Sequence, residues 1–235
     1  MKQPRWKIWL SYLWEWHIES APSTLNPHLY VSLKRGRYQL STAHAVYSWG
    51  DLYRNFKLSF EQMTLDRLSG REVLVLGLGL GSVPLILEQR FGFGGRYTAV
   101  ERDESVVYLA HKYTLDQLSA PLQVHCADAY AWVMAQPQRP TFDLIAMDVF
   151  VDDVIPVDFE SADFLEALRG LLLPGGVLLY NRLAASAADR LASQRFFERA
   201  FAKSFPGSVY FDLGTNWMLL SNPSVLKARP KCDKR

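Results

Sequence analysis

Apolar and polar residues alternate from residue 7 to residue 19, with Ile8, Leu10, Tyr12, Trp14, Trp16 and Ile18 on one face. A period of two predicts a β-strand, although Trp6, Trp9, Leu10, Leu13 and Trp14 also fit a helical stripe. The aromatic and β-branched content favours the strand. Two more strands are predicted over residues 28–33 and 38–42, around the turn Lys34-Arg35-Gly36-Arg37. Residues 1–55 therefore read as a small β-hairpin appendage. Residues 51–68 read as a helix, ended by Ser69-Gly70.

From Arg71 onward, short apolar runs alternate with helical patterns. Strands are predicted at 73–76, 97–100, 122–125, 144–147 and 177–180, and helices at 83–89, 104–113, 130–134, 159–172 and 187–202. Strands without polar alternation, separated by helices, belong to a parallel sheet covered on both faces. The runs 209–212 and 217–220, around Gly214-Thr215-Asn216, predict a closing antiparallel hairpin. The expected fold class is α/β. A Rossmann-like, mostly parallel sheet with an antiparallel last hairpin spans residues 56–225, after the appendage and before a basic tail at 226–235.

Composition narrows this little further. With 235 residues, 49% of them hydrophobic and 21% charged, the chain is not collagen, coiled coil or a disordered polymer. Its longest uncharged run, residues 73–87, is 15 residues and holds Gly77, Gly79, Gly81 and Pro84, too short and broken to span a bilayer. Lys2, Arg5 and Lys7 precede an apolar stretch as in a secretion signal, but Glu15, His17 and Glu19 end it with a poor cleavage pattern. Cys126 and Cys232 are far apart without metal-type spacing, which suggests a reducing compartment and a cytoplasmic protein. The five histidines, His44 among them beside the expected substrate wall, lack ligand spacing, so no metal is expected.

Charge is uneven beneath the net +2. The last nine residues carry net +4, which reads as a solubilising end rather than a nucleic-acid contact. Residues 140–168 hold Asp143, Asp148, Asp152, Asp153, Asp158, Glu160, Asp163 and Glu166 without a Lys or Arg.

Candidate chemistry gathers at the strand ends. The first parallel strand runs into Gly77-Leu78-Gly79-Leu80-Gly81-Ser82, where glycines let the backbone turn and approach a ligand at a helix N-terminus. A NAD fingerprint would place Gly or Ala where Ser82 stands. Glu101 ends the second strand, where a carboxylate can accept both hydroxyls of a ribose; a solvated strand-end acid is the plainer reading. Asp128-Ala129 follows the third strand; Asp128 could read an adenine amino group or cap the next helix. Asp148 ends the fourth strand, on the side where α/β sheets bind ligands, whereas Asp143 begins it and reads as structural.

In this order and spacing, with Leu172-Leu173-Pro174-Gly175-Gly176-Val177 as a helix stop before a strand, these features resemble the class I S-adenosylmethionine-dependent methyltransferase fold. More narrowly, the appendage, the stretch Tyr47-Ser48-Trp49-Gly50-Asp51-Leu52-Tyr53 and Cys126-Ala127-Asp128-Ala129 resemble the spermidine synthase (aminopropyltransferase) family. The resemblance implies S-adenosylmethionine or its decarboxylated form held by Gly77, Gly79, Gly81, Glu101, Asp128 and Ala129. It also implies Asp148 as the carboxylate that helps deprotonate an attacking amine, and Tyr47, Trp49, Asp51, Asp152 and Asp153 along the substrate. Two departures stand out: Leu80 occupies the place of the family's aminopropyl-binding Asp, and Asp148-Val149-Phe150-Val151-Asp152 is one residue longer than the family's Asp-x-x-Asp-Pro and lacks its Pro.

The expected activity is alkyl transfer to a cationic amine such as a polyamine. An ordinary small-molecule methyltransferase, a non-catalytic nucleoside binder and a NAD dehydrogenase are the alternatives. The Trp-rich appendage suggests a homodimer, with neither nucleic acid nor membrane as a partner.

Overall fold

A computed structural model describes residues 3–26, 28–42, 46–150 and 154–227. The first element is a helix, α1 (Arg5–Leu10), and only after a turn does strand β1 (Trp16–Ala21) begin. This corrects the strand expected over residues 7–19. The reason is the length of the partner. β1 pairs antiparallel with β2 (Leu29–Lys34), Trp16 facing Leu33. β2 then turns into β3 (Arg37–Ser41) through Arg35 and Gly36, at φ 49° and 72°. Residues before Trp16 thus run past the end of β2, and aromatic β-propensity is realised only against cross-strand neighbours. A helix satisfies its backbone locally instead. Ser11 docks it: its carbonyl accepts from the Arg35 N–H at 2.8 Å and its hydroxyl oxygen from the Gly36 N–H at 2.9 Å.

Strand β4 (Val46–Ser48) completes a four-stranded antiparallel sheet in the order β1-β2-β3-β4. The helix expected over 51–68 is also shorter. A 3-10 turn (Gly50–Leu52) leads into α2 (Arg54–Glu61), after which Met63 bridges Leu226 and the Thr64 N–H donates to the Val225 carbonyl at 2.7 Å. The C-terminal segment takes the backbone groups that a longer helix would have used.

The rest alternates as expected: β5 (Glu72–Leu76), α3 (Ser82–Phe91), β6 (Arg96–Glu101), α4 (Glu104–Tyr113), β7 (Leu122–Cys126), α5 (Ala129–Ala135), β8 (Phe142–Met147), α6 (Ala162–Leu171), β9 (Leu172–Leu183), α7 (Ala187–Phe196), then β10 (Val209–Asp212) and β11 (Asn216–Leu220). The seven-stranded sheet has the order β10-β11-β9-β8-β5-β6-β7. Its pairs are parallel from β9 to β7, while β11 runs antiparallel to β9 and β10 to β11. α6 starts later than expected, because Ser161 caps it by accepting from the Phe164 N–H. β9 is longer than expected and runs through Pro174-Gly175-Gly176, with Gly175 at φ 82°.

Both faces of the central strands are buried. Leu74, Leu76, Ile145 and Leu178 pack toward Phe164, Leu168 and Phe201. Val73, Val75, Leu144 and Ala146 share a cluster with Val83 and Ile86 of α3 and with Leu29, Val31 and Leu40 of the N-terminal sheet. Alternate side chains point to opposite faces of a strand, so a strand covered on both sides is apolar at nearly every position. Asp143 is the exception, fully buried inside β8. Its carboxylate accepts from the Ser69 hydroxyl at 2.9 Å, the Gly70 N–H at 2.7 Å and the Glu72 N–H at 3.0 Å. That is the structural role its position suggested.

Candidate functional site

The order β6-β5-β8 places β5 where the chain reverses its direction of winding, the crevice that binds ligands in open α/β sheets. The loop after β5 is shaped by close approach. A Cβ on Gly77 (φ 86°) would lie 2.3 Å from the carbonyl oxygen of Asp148, so only glycine lets the two strand ends close up. A Cβ on Gly79 (φ 53°) would sit 2.9 Å from Cβ of Ser48, where the N-terminal sheet meets the loop. Gly81 starts α3 and lies away from the ligand space, facing Leu115. Ser82, the departure from a NAD fingerprint, accepts from the Trp49 N–H at 3.1 Å.

A cavity of about 900 Å³ opens over this crevice. Gly77, Gly79, Glu101, Asp128 and Ala129 are among its lining residues. Glu101 accepts from the N–H groups of Leu78 (3.1 Å), Gly79 (3.3 Å) and Asp103 (3.1 Å). Burial pushes its carboxyl up, and those N–H groups hold it down. Asp128 caps α5 by accepting from the Ala131 N–H at 2.9 Å, and it lines the cavity. Carboxylates thus stand at the ends of β6 (Glu101) and β7 (Asp128), beside the glycine loop that follows β5.

Asp148 lines the same cavity beside the glycine loop. Its Oδ1 accepts from the Asn181 side-chain amide at 2.7 Å and from the Tyr53 hydroxyl at 3.3 Å. Burial pushes this carboxyl up to about 7, the charge of Glu101 adds to the rise, and the Asn181 and Tyr53 donors oppose it. Tyr53 is itself pushed well above the ordinary phenol range by burial and by Asp148. Tyr47 and Trp49 line the same cavity, the Tyr47 hydroxyl donating to Asn26 at 2.9 Å and the Trp49 indole N–H to the Lys34 carbonyl at 3.2 Å.

Asp51 is not brought to this wall. It is 3% exposed and held between Arg37 and Arg90, the latter at 2.7 Å. Asp152, Asp153, His44 and the tail beyond Lys227 lie outside the described residues. Leu80 is fully buried in the apolar core, so its side chain does not face the ligand space. The acidic stretch disperses: Glu160 pairs with Arg182 and Glu166 with Arg169, and Asp148 is its one acid lining the cavity among the described residues.

Sequence reasoning missed Tyr53, Asn181, Asn216 and Asp103. Asn181 had a usable mark, a polar residue near the end of the strand beside the one that ends in Asp148. Asp103 caps α4 and accepts from Ser23 (2.6 Å) and Asn26 (2.8 Å), tying the N-terminal segment to the cavity wall. Its partners are some 80 positions away, beyond any local pattern. No group of three or more His, Cys, Asp or Glu among the described residues could hold a metal ion.

No family model matches the chain. It is 32% identical over 115 residues to a polyamine aminopropyltransferase of Vibrio vulnificus, and 30% over 113 residues to a probable polyamine aminopropyl transferase of Bifidobacterium longum. Each match covers 48% of this chain, but only 38% and 24% of those relatives. A human eEF1A lysine and N-terminal methyltransferase is 31% identical over 119 residues, 46% of this chain and 17% of that protein. A probable spermidine synthase from Corynebacterium glutamicum superposes with a TM-score of 0.69 at 17% identity, over 93% of this chain and 82% of that one. A spermidine synthase in complex with the transition-state analogue AdoDATO gives 0.66 at 15%, over 89% and 74%. The chain thus carries the class I S-adenosylmethionine-type fold and is similar, in sequence and in architecture, to polyamine aminopropyltransferases.

Proposed function

We propose that the chain transfers an alkyl group from the sulfonium centre of S-adenosylmethionine, or of its decarboxylated form, to the nitrogen of a cationic amine such as a polyamine. The observation that carries this reading is Asp148, a carboxyl raised to about 7 that lines the cavity beside the Gly77 loop. An alkylammonium with a pKa of about 10.4 is only ~1 part in 2,500 neutral at pH 7, a penalty of roughly 4.6 kcal/mol. Asp148 holds the ammonium, takes one of its protons and leaves the nitrogen lone pair free to attack. A base near the operating pH combines the ionised form with useful basicity. Glu101 and the Gly77–Gly79 backbone fix the nucleoside, while Tyr47 and Trp49 border the acceptor. The cofactor supplies an electrophilic carbon and a neutral thioether leaving group. The N–C bond forms as the S–C bond breaks.

Methyl transfer from intact S-adenosylmethionine is the second reading. It is favoured by Leu80, whose burial leaves no carboxylate of the glycine loop for an aminopropyl ammonium. Chromatography of the nucleoside product separates the two: methylthioadenosine marks aminopropyl transfer, S-adenosylhomocysteine methyl transfer. Release of neither, across diamines, polyamines and both cofactor forms, would overturn the proposal.

We also infer a homodimer through the N-terminal aromatic segment, supported by Trp6, Trp9 and Leu13, which are 59%, 68% and 64% exposed. A cytoplasmic setting is supported by the free thiol of Cys126. No helix among the described residues is long and apolar enough to cross a membrane.

A further inference from the structure

We propose that Asn181 and Asn216 are positioning residues that hold Asp148 for proton acceptance, through a chain of hydrogen bonds that all donate toward one carboxylate oxygen. This rests on Asp148 being the base. The two asparagines are nearly inaccessible, at 1% and 9% exposure. They lie on neighbouring antiparallel strands, Asn216 facing Leu183 and therefore diagonal to Asn181, within reach across the same face.

The direction of the chain is set at Asp148. A carboxylate oxygen only accepts, so Asn181 turns its NH₂ group to Oδ1 of Asp148, at 2.7 Å, and its own Oδ1 to Asn216. The Asn216 NH₂ group donates to that Oδ1 at 2.9 Å, and the Thr215 hydroxyl, able to donate or accept, follows by donating to Oδ1 of Asn216 at 3.0 Å. A flipped Asn181 would set oxygen against carboxylate and N–H against N–H, two repulsive contacts in a buried place. Asn216, which makes no hydrogen bond to Asp148, thereby holds Asn181 in the orientation that donates to it.

The consequence falls on the two oxygens of Asp148. Oδ1 is occupied by Asn181 and Tyr53, so the substrate proton goes to Oδ2. Among the described residues, the titratable groups that face Asp148 are Tyr53 ahead of α2 and Glu101 at the end of β6. Glu101 and burial favour the protonated acid, while the amide donors favour the anion. The chain therefore holds the carboxyl lower than burial alone would, at about 7, where it can both accept and release a proton.

The test is a carbon-13 titration of the aspartate carboxyls in the free protein, with Asp148→Asn used to assign the resonance. Asn181→Leu is expected to raise the Asp148 midpoint by about one unit, tenfold in proton affinity. Asn216→Leu is expected to raise it by about half a unit although it removes nothing that touches Asp148. Methylthioadenosine affinity within about twofold of the original shows that each variant folds and keeps its nucleoside end. The acidic limb of kcat/KM against an amine should move by the same amounts. A midpoint unchanged in Asn216→Leu overturns the relay, even if Asn181→Leu shifts or fails to fold. Midpoints that move in a protein with no amine turnover would instead sink the proposed activity and leave the relay standing.

Discussion

The hydroxyls of Ser48 and Ser82 lie 2.6 Å apart, joining the last strand of the N-terminal sheet to the first residue of the helix behind the glycine loop. Both are buried, at 1% and 3% exposure. The N-terminal sheet is therefore part of the frame of the proposed nucleoside site, and Gly79 is packed against that junction.

Gly79→Ala should separate the two parts. The new methyl would meet Ser48 at 2.9 Å, in a backbone conformation (φ 53°) that costs a non-glycine residue about 1 kcal/mol or more. Nucleoside affinity is expected to fall at least tenfold by calorimetry with methylthioadenosine. Wild-type affinity would show that the loop tolerates the displacement.

Glu101→Ala removes the carboxylate proposed for the ribose. The loss of a hydrogen bond to a charged group predicts about 1.5–3 kcal/mol weaker methylthioadenosine binding. An unaltered titration curve would remove Glu101 from the site.

Asp148→Asn should separate activity from stability. Turnover is expected to drop roughly 100-fold or more, with nucleoside affinity within about 1 kcal/mol. Stability should move the other way. The folded Asp148 keeps its proton up to about 7, whereas the unfolded chain releases it in the ordinary carboxylate range. The wild type thus loses stability as pH rises from about 4 to 7, on the order of 2–4 kcal/mol for a carboxyl that still borders a cavity. The variant escapes that loss, so urea unfolding at pH 8 should find it more stable than the wild type, and at pH 4 nearly equal. Equal stabilities at both pH values would contradict the raised midpoint.

Asp51→Asn should lower stability without changing the kinetics. It leaves Arg37 and Arg90 facing a neutral group, and because both arginines are about 40% exposed the expected cost is about 2–3 kcal/mol. A large rise in the KM for the amine at unchanged stability would return Asp51 to the substrate wall.

The aromatic segment is tested by light scattering. A Trp9→Ser/Leu13→Ser double variant should convert a micromolar homodimer to monomer, and its melting temperature should lose the dependence on protein concentration that a dimer shows. A wild type already monomeric would refute the assembly.

The parallel sheet was legible because each central strand is apolar nearly throughout and is followed by a helical pattern. α4 spans the predicted 104–113, with Asp103 capping it. The N-terminus misled because the same aromatic residues satisfy two periodicities, and the choice between them depends on where β2 ends, some 20 residues later. Gly77, Glu101, Asp128 and Asp148 were visible as strand-end residues, since topology alone sends strand ends to the crevice. Asp51 looked equally chemical. Arg37 and Arg90, which claim it, carry no mark linking them to it in sequence. Tyr53, although part of the Tyr47–Tyr53 stretch, had no role assigned and Asn181 went unmarked, because the role of each appears only beside Asp148.

The carboxylate of Asp143 has a consequence for how the central strands find each other. Sliding a strand by one residue normally exposes its apolar side and so corrects itself. Between β5 and β8 that safeguard is absent, because Val73–Leu76 and Leu144–Met147 are apolar on both faces and every offset looks alike to the solvent. Asp143 distinguishes them. Its three donors come from residues 69–72, 71 to 74 positions earlier in the chain, and they converge on it only when Val73 stands opposite Leu144. Any other alignment strands a charge in the interior, at a cost of several kcal/mol. One buried acid thus supplies the alignment information that alternation supplies in a half-exposed sheet.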